Sequence, residues 1–125
     1  MIATWLGKAV GANRRLLWSP RAHRMVPNPA YKKFKESMAA EFMNHAERFE
    51  GAVHVYVRMI LNARMDSDSI LKPLFDALEL AEIVKNDNQI KSYAVNRENK
   101  KRGEPDRVVV IVEEERENAR SNTQT

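Results

Sequence analysis

Carboxylates are concentrated in one short stretch of the chain, residues 65–90, MDSDSILKPLFDALELAEIVKNDNQI. Asp66 and Asp68 stand one residue apart before an apolar segment, and Asp87 lies in a polar stretch after it. Two carboxylates about 4 Å apart repel each other by about 4 kcal/mol at an effective dielectric of about 20, so such a cluster needs a cation or a shared proton. These residue types therefore predict a divalent-cation site made of oxygen ligands.

The rest of the composition narrows the identity of the cation. The chain has no Cys, and its three His are far apart in the sequence, which excludes thiolate zinc sites and an H-x-x-x-H pair. We expect Mg²⁺, with Mn²⁺ as the other possibility, because both prefer oxygen ligands. Such an ion polarises a phosphoryl oxygen and activates water near neutral pH. Lys72, four residues after Asp68, can then meet a phosphate oxygen or the leaving group.

Each of these residues also has a purely structural interpretation. Asp68 or Ser69 can cap the following helix, and Asp87 suits a turn. Lys72 can form a surface ion pair with Asp76 or Asp68, which contributes under ~1 kcal/mol. The D-x-D spacing alone does not decide between a metal site and a helix cap.

Basic side chains dominate the N-terminal part of the chain. The net charge is +4, and residues 1–35 contain eight basic residues and no acidic one. This favours a polyanionic partner, because each neutralised phosphate releases counterions. A solvated basic surface without a ligand is the alternative. The eight residues are Lys8, Arg14, Arg15, Arg21, Arg24, Lys32, Lys33 and Lys35.

Hydrophobic periodicity predicts the elements that must position these groups. Alternation predicts strands, and apolar residues at i, i+3, i+4 and i+7 predict helices. Gly and Pro interrupt residues 7–29, which we interpret as a long basic loop without regular structure. Pro73 belongs in a first helical turn, which places that helix start near residues 69–72. The predicted strands are 2–6, 52–61, 89–98 and 107–114, and the predicted helices are 30–49 and 70–82.

The order of elements indicates an α+β fold, a small single domain with a mixed β-sheet packed against two main helices. We expect the domain to span residues 1–115 and residues 116–125 to form a frayed polar tail. No apolar run approaches the ~20 residues of a membrane span, so we expect a cytoplasmic protein with no membrane partner. The second helix spans about 20 Å, so Asp87 can approach Asp66 and Asp68 only if strand 90–96 runs back beside the strand before the helix and the 82–87 link folds over.

The stretch as a whole resembles the signature of the RusA family of crossover junction endodeoxyribonucleases. That pattern is D-x-D-N, a lysine, an apolar helix with D-A-L, and an aspartate before Q-[IV]. The flanking segments follow the family order more loosely over about 110 residues. The matching residues here are Asp66, Asp68, Lys72, Asp76, Ala77, Leu78, Asp87, Gln89 and Ile90.

This resemblance implies a function for each group. Asp66, Asp68 and Asp87 would be the Mg²⁺ ligands, and Lys72 the catalytic basic residue. The protein would be a homodimer that resolves Holliday junctions in recombination and repair, with each of two sites nicking one strand of a four-way DNA junction. The implied DNA-binding residues in the loop are Arg14, Arg15, Arg21 and Arg24. We add Lys32 and Lys33, because basic charge in the first turn of a helix is unfavourable next to the helix dipole and a nearby phosphate would offset it.

The chain departs from the family pattern at two places. Ser69 stands where the family usually has Asn, so a positioning role of that Asn would be lost. The N-terminal GANRR also lacks the family's proline-rich lead-in, which bears on junction selectivity. Two other functions stay open: a non-catalytic basic nucleic-acid-binding module, and a metal-dependent nuclease that acts on another branched substrate or on RNA.

Overall fold

The computed structural model describes residues 1–115, so the predicted polar tail at 116–125 lies outside the described part. Six strands and two α-helices follow one another along these residues, with short 3-10 turns at Ala12–Arg14 and Asp87–Gln89. The strands are β1 (Ile2–Gly7), β2 (Leu16–Ser19), β3 (Arg24–Pro27), β4 (Val53–Leu61), β5 (Ile90–Asn99) and β6 (Asp106–Glu114). The helices are α1 (Pro29–Met43) and α2 (Asp68–Leu80).

The main sheet has the order β1-β6-β4-β5. β6 pairs antiparallel with both β1 and β4, whereas β5 pairs parallel with β4. A parallel pair needs a crossover connection, and α2 supplies it. This is the predicted α+β fold, with a mixed sheet and two main helices.

The core lies between one face of the sheet and the two helices. β4 shows the predicted alternation, with its odd-numbered residues from Val53 to Leu61 buried. α2 buries Leu74, Ala77 and Leu78 against it, following the helical spacing. α1 contributes Phe34, Met38 and Phe42. None of the helices in residues 1–115 is both long and apolar enough to span a membrane.

The prediction of an irregular loop at residues 7–29 is wrong, because a β-hairpin lies inside it. β2 and β3 pair antiparallel, from Leu16 opposite Pro27 to Ser19 opposite Arg24. Pro20 falls in the connecting turn and Pro27 at a strand end, where a missing N–H does not interrupt the ladder. The Ser19 hydroxyl accepts a hydrogen bond from the Ala22 N–H at 3.1 Å, which closes the turn.

Both helices differ from their predicted bounds. α1 ends at Met43 rather than at residue 49, because the chain reverses at Ala46 (φ 53°) and carries Phe49 to a bridge with Val84. α2 begins at Asp68, slightly before the predicted start. Pro73 therefore lies in the second turn, where it cannot donate the usual helical hydrogen bond.

Candidate active site

Asp66 and Asp68 occupy the loop between β4 and the start of α2. The Asp66 Oδ1 accepts a hydrogen bond from the Asp68 N–H at 3.0 Å, while the residue at the N-cap position, Ser67, makes no side-chain cap. The capping function predicted for Asp68 or Ser69 therefore falls to Asp66. Both aspartates are exposed. A helix cap and a cation ligand are compatible roles, because a carboxylate has two oxygens and about four lone-pair sites.

Arg97 holds this loop against the sheet. It stands on β5, opposite Met59 of β4, and its guanidinium donates hydrogen bonds to the carbonyls of Asn62 (2.7 Å) and Met65. The planar guanidinium fork suits two carbonyls at once. The sequence gives no signal for this contact, because it depends on the parallel register of β4 and β5.

Lys72 lies one helical turn after Asp68, as predicted, and it is exposed. Its Nζ lies 3.7 Å from the Asp76 Oδ2, and the Nζ of Lys35 on α1 lies at the same distance from that oxygen. Asp76 thus sits between two lysines from different helices. Lys35 was not predicted at the site, because its approach depends on the packing of α1 against α2.

Tyr31 adds an aromatic ring beside this cluster. The Lys35 Nζ lies 5.5 Å from the ring centroid, within the range of a cation–π contact. Burial raises the pKa of the Tyr31 phenol above its ordinary value of 10.0, and the nearby Asp76 carboxylate raises it further, against a smaller opposing effect of Arg15. The phenol is therefore a neutral hydrogen-bonding group at physiological pH.

Asp87 opens the 3-10 turn that leads into β5. Its N–H donates to the Glu79 Oε1 at 2.7 Å, which ties the turn to the end of α2. Asn86 and Gln89 form a capping box around the turn. The Gln89 side chain also donates to the carbonyls of Phe49 (2.7 Å) and Gly51 (2.9 Å).

The parallel pairing of β5 separates Asp87 from Asp66 in one chain. β5 starts opposite Val53, at the beginning of β4, whereas Asp66 follows the end of β4. β5 does lie beside β4, but because the pairing is parallel, Asp66 and Asp87 fall toward opposite ends of α2. Within residues 1–115, no three acidic or His side chains lie close enough together to hold one metal ion.

An open groove nevertheless connects most of the predicted residues. It has a volume of about 470 Å³ and runs along α2, where Asp68, Lys72, Asp76 and Asp87 line it. Asp66 lines a second cavity of about 640 Å³, together with basic and polar side chains that include Arg14 and Asn13. Asp66 and Asp68, two residues apart, thus line different cavities.

A comparison with models of protein families shows to which family the chain belongs. A family model described as endodeoxyribonuclease RusA matches residues 7–113, nearly the whole described domain. The chain belongs to the RusA family. A search of curated protein sequences gives no significant match. This RusA protein is therefore an enzyme, a crossover junction endodeoxyribonuclease that acts on branched DNA, and the resemblance found in the signature is confirmed.

The RusA domain presents all six predicted DNA-binding residues at its surface. Arg14 and Arg15 lie at the base of the β2–β3 hairpin, Arg21 lies in its turn, and Arg24 lies on β3. Lys32 and Lys33 are exposed in the first turns of α1, and the Lys32 Nζ lies 3.8 Å from a Glu36 carboxylate oxygen.

Ser69, which replaces the usual RusA asparagine, connects Asp66 to the N-terminal loop. Its hydroxyl donates to the Asp66 carbonyl at 2.6 Å. A Cβ placed on the buried Gly11 would lie 2.8 Å from the Ser69 Cβ and closer still to its hydroxyl. The short Ser side chain therefore allows the Gly11 backbone to pack against the start of α2.

Proposed function

We propose that this RusA protein is a Mg²⁺-dependent endonuclease that resolves Holliday junctions by paired nicks in opposing strands. The observation that carries the proposal is the groove along α2, where Asp68, Lys72 and Asp87 line one surface of a RusA-family domain beside Asp66. A pure phosphate-binding module has no use for carboxylates there, because they repel the DNA backbone unless a cation lies between them.

Asp66 and Asp68 are the residues that we propose as ligands of Mg²⁺, or of Mn²⁺ in its place. Both are exposed carboxylates held on a loop that Arg97 anchors, and oxygen donors are what these ions prefer. The ion, when bound, supplies Lewis-acid activation of a phosphodiester and of water. The Asp68 N–H holds the Asp66 carboxylate, and the Ser69 hydroxyl holds the Asp66 backbone carbonyl.

Lys72 is proposed as the basic catalytic residue. Its ammonium lies in the groove one helical turn from Asp68 and can stabilise negative charge that develops on a phosphate oxygen. Asp76 orients it through a long ion pair of 3.7 Å, which a phosphate can displace at small cost because the pair is exposed.

Asp87 is proposed as the third ligand, and its position bears on assembly. In one chain it lies at the far end of α2 from Asp66, so a shift of its 3-10 turn or a second copy of the chain must bring a third carboxylate to the ion. We propose a homodimer. A C₂ dimer also gives the two active sites that two nicks in opposing strands require.

The six exposed basic residues around the hairpin and α1 are proposed to bind the arms of the junction. Each phosphate contact would release counterions, which makes binding salt-dependent. Because the substrate is DNA, we place the activity in the cytoplasm.

A cleavage assay on defined DNA structures tests the proposal. End-labelled four-way junction, flap and duplex of matched sequence are incubated with the full chain and Mg²⁺, Mn²⁺ or EDTA, and products are separated on a denaturing gel. We expect symmetric cuts in opposing strands of the junction, only with metal. Cuts in flaps but not in junctions, or cuts in EDTA, would contradict it.

A further inference from the structure

The β2–β3 hairpin is a two-stranded ribbon with one fully apolar face. Side chains alternate along a strand, so Leu16 and Trp18 of β2 share a face with their partners Pro27 and Met25 of β3. All four residues are exposed, and Trp18, at 59%, is more open than Met25 (51%) and Leu16 (43%) on the same face. The other face carries Leu17, which is also exposed at 46%.

This ribbon is not part of the main sheet. Within residues 1–115, β2 and β3 pair only with each other. An isolated two-stranded ribbon is at best marginally stable in water, so an apolar face of this kind is expected to have a partner. Trp5, the other tryptophan of the chain, is buried in the core and donates to the Ser37 hydroxyl. The two tryptophans thus differ in burial, and the exposed one lies on the ribbon.

The base of the ribbon is firmly attached beside the candidate active site. The Asn28 side chain donates to the Arg14 carbonyl at 2.7 Å, and the Asn28 N–H donates to the Arg15 carbonyl at 2.8 Å. Asn28 is buried and caps α1. Arg14 lines the same cavity as Asp66. A ligand bound at the base of the ribbon would thus lie near the Asp66 carboxylate.

Charge indicates the chemistry of the partner. Arg14 and Arg15 stand at the base of the ribbon, Arg21 in its turn and Arg24 on the face opposite Trp18, and the chain has no acidic residue before Glu36. A purely apolar partner does not need four arginines, and a second copy would bring its own four arginines against them. A stacking surface among cations is the arrangement that proteins use for unpaired nucleic-acid bases.

We propose that this ribbon is a stacking arm that places the Trp18 ring on an unpaired base at the branch point of the junction. The arginines hold the flanking phosphates, and Met25 supports the ring from the neighbouring strand. The inference rests on the proposed function, since it specifies how this enzyme distinguishes a branch point from a continuous duplex, in which every base is stacked and paired.

Fluorescence of 2-aminopurine tests the stacking arm. The base is placed at the branch point of a four-way junction or within a duplex arm, and the full chain is titrated in EDTA so that the DNA stays intact. We expect a fluorescence change at the branch point with the wild type and with Trp18→Phe, and its loss with Trp18→Ala. Trp18→Ala should weaken junction binding by about 5- to 100-fold, which corresponds to one stacked base, and leave duplex binding within about 2-fold.

Leu17→Ala is the matched control, because it removes an exposed apolar side chain from the opposite face of the same strand. We expect its fluorescence change and junction affinity to equal those of the wild type. An equal loss with Leu17→Ala and Trp18→Ala would contradict a specific stacking role for Trp18.

The outcomes separate this inference from the proposed function. If the wild type prefers junction to duplex and Trp18→Ala keeps both that preference and the fluorescence change, the stacking arm is wrong and the resolvase assignment stands. If the wild type shows no preference for junctions, the proposed function fails first. If sedimentation shows that Trp18→Ala converts a dimer to a monomer, the ribbon covers a second copy, which overturns the inference.

Discussion

Asp66 has a structural role at the residue scale, and we propose a chemical role for it as well. Its carboxylate caps α2 through the Asp68 N–H, and it also faces the larger cavity. The capping bond fixes the Asp66 side chain before any ligand binds, so less conformational entropy is lost when a ligand binds to it. The sequence could not separate a helix cap from a metal ligand at this position because one geometry serves both.

Lys72 can be tested by a substitution that removes its ammonium group. Lys72→Ala should lower the single-turnover rate of junction cleavage by about 100-fold, the usual effect of removing one group that stabilises transition-state charge. Junction affinity should change little, because one exposed lysine contributes little to binding. Lys101→Ala, an exposed lysine in the turn between β5 and β6 outside the groove, is the control and should cut at the wild-type rate. A normal rate for Lys72→Ala would exclude the proposed role.

Tyr31 makes a prediction about pH. Because its pKa is raised above 10.0 in the folded protein, the folded state holds the phenol proton more tightly than the unfolded chain does. The contribution of the Tyr31 phenol to the free energy of unfolding is therefore fully present below about pH 10, and it is lost as the pH rises through the pKa of the phenol in the folded protein. The free energy of unfolding, measured by urea denaturation above about pH 9, should therefore fall less steeply for Tyr31→Phe than for the wild type. Parallel curves would contradict the assigned pKa direction.

At the scale of elements, the contact between Gly11 and Ser69 links the N-terminal loop to α2. Gly11→Ala should destabilise the protein by about 1–3 kcal/mol, the usual cost of overpacking, and should displace Asp66. Thermal unfolding and cleavage rate should fall together. Adding Ser69→Gly removes the clashing Cβ and should restore part of the lost stability, but not the cleavage rate, because the Ser69 hydroxyl that holds Asp66 is also gone. A Gly11→Ala protein with wild-type stability would show that the loop can move away freely.

The elements that the sequence predicted well are those with a strong local pattern. The alternation of β4 and the apolar spacing of α2 depend on burial of one face, which the sequence records directly. The end of α1 and the β2–β3 hairpin were missed for a different reason. The reversal at Ala46 and the closure of the hairpin depend on contacts with distant residues and on turn geometry, and the exposed apolar residues of β2 lack an alternating pattern.

At the scale of the whole molecule, topology decides how far the candidate site extends. The signature identified the residue types, and four of the signature side chains line one groove along α2. The distance between Asp87 and Asp66 follows from the parallel pairing of β4 and β5, which no local pattern encodes. The contribution of Arg97 to the Asp66 loop depends on the same register. The proposed metal site would therefore need a second copy of the chain or a movement of the Asp87 turn to gain a third carboxylate.

Cleavage by Asp66→Asn is the most direct measurement of the central claim, that carboxylates at this site support metal-dependent junction cleavage. The variant keeps the size and the hydrogen-bond acceptor of the side chain but removes its charge. Glu104→Gln, in the exposed turn before β6, removes one acidic charge from a side chain that lines neither cavity and is the matched control. Both are compared with the wild type for cleavage and for binding of a four-way junction with Mg²⁺.

We predict that Asp66→Asn cuts at least about 100-fold more slowly while it binds the junction as tightly as the wild type or more tightly, since a negative charge facing phosphate is gone. Glu104→Gln should cut normally. If Asp66→Asn instead cuts at the wild-type rate, Asp66 is only the cap of α2, and the proposed metal site is wrong.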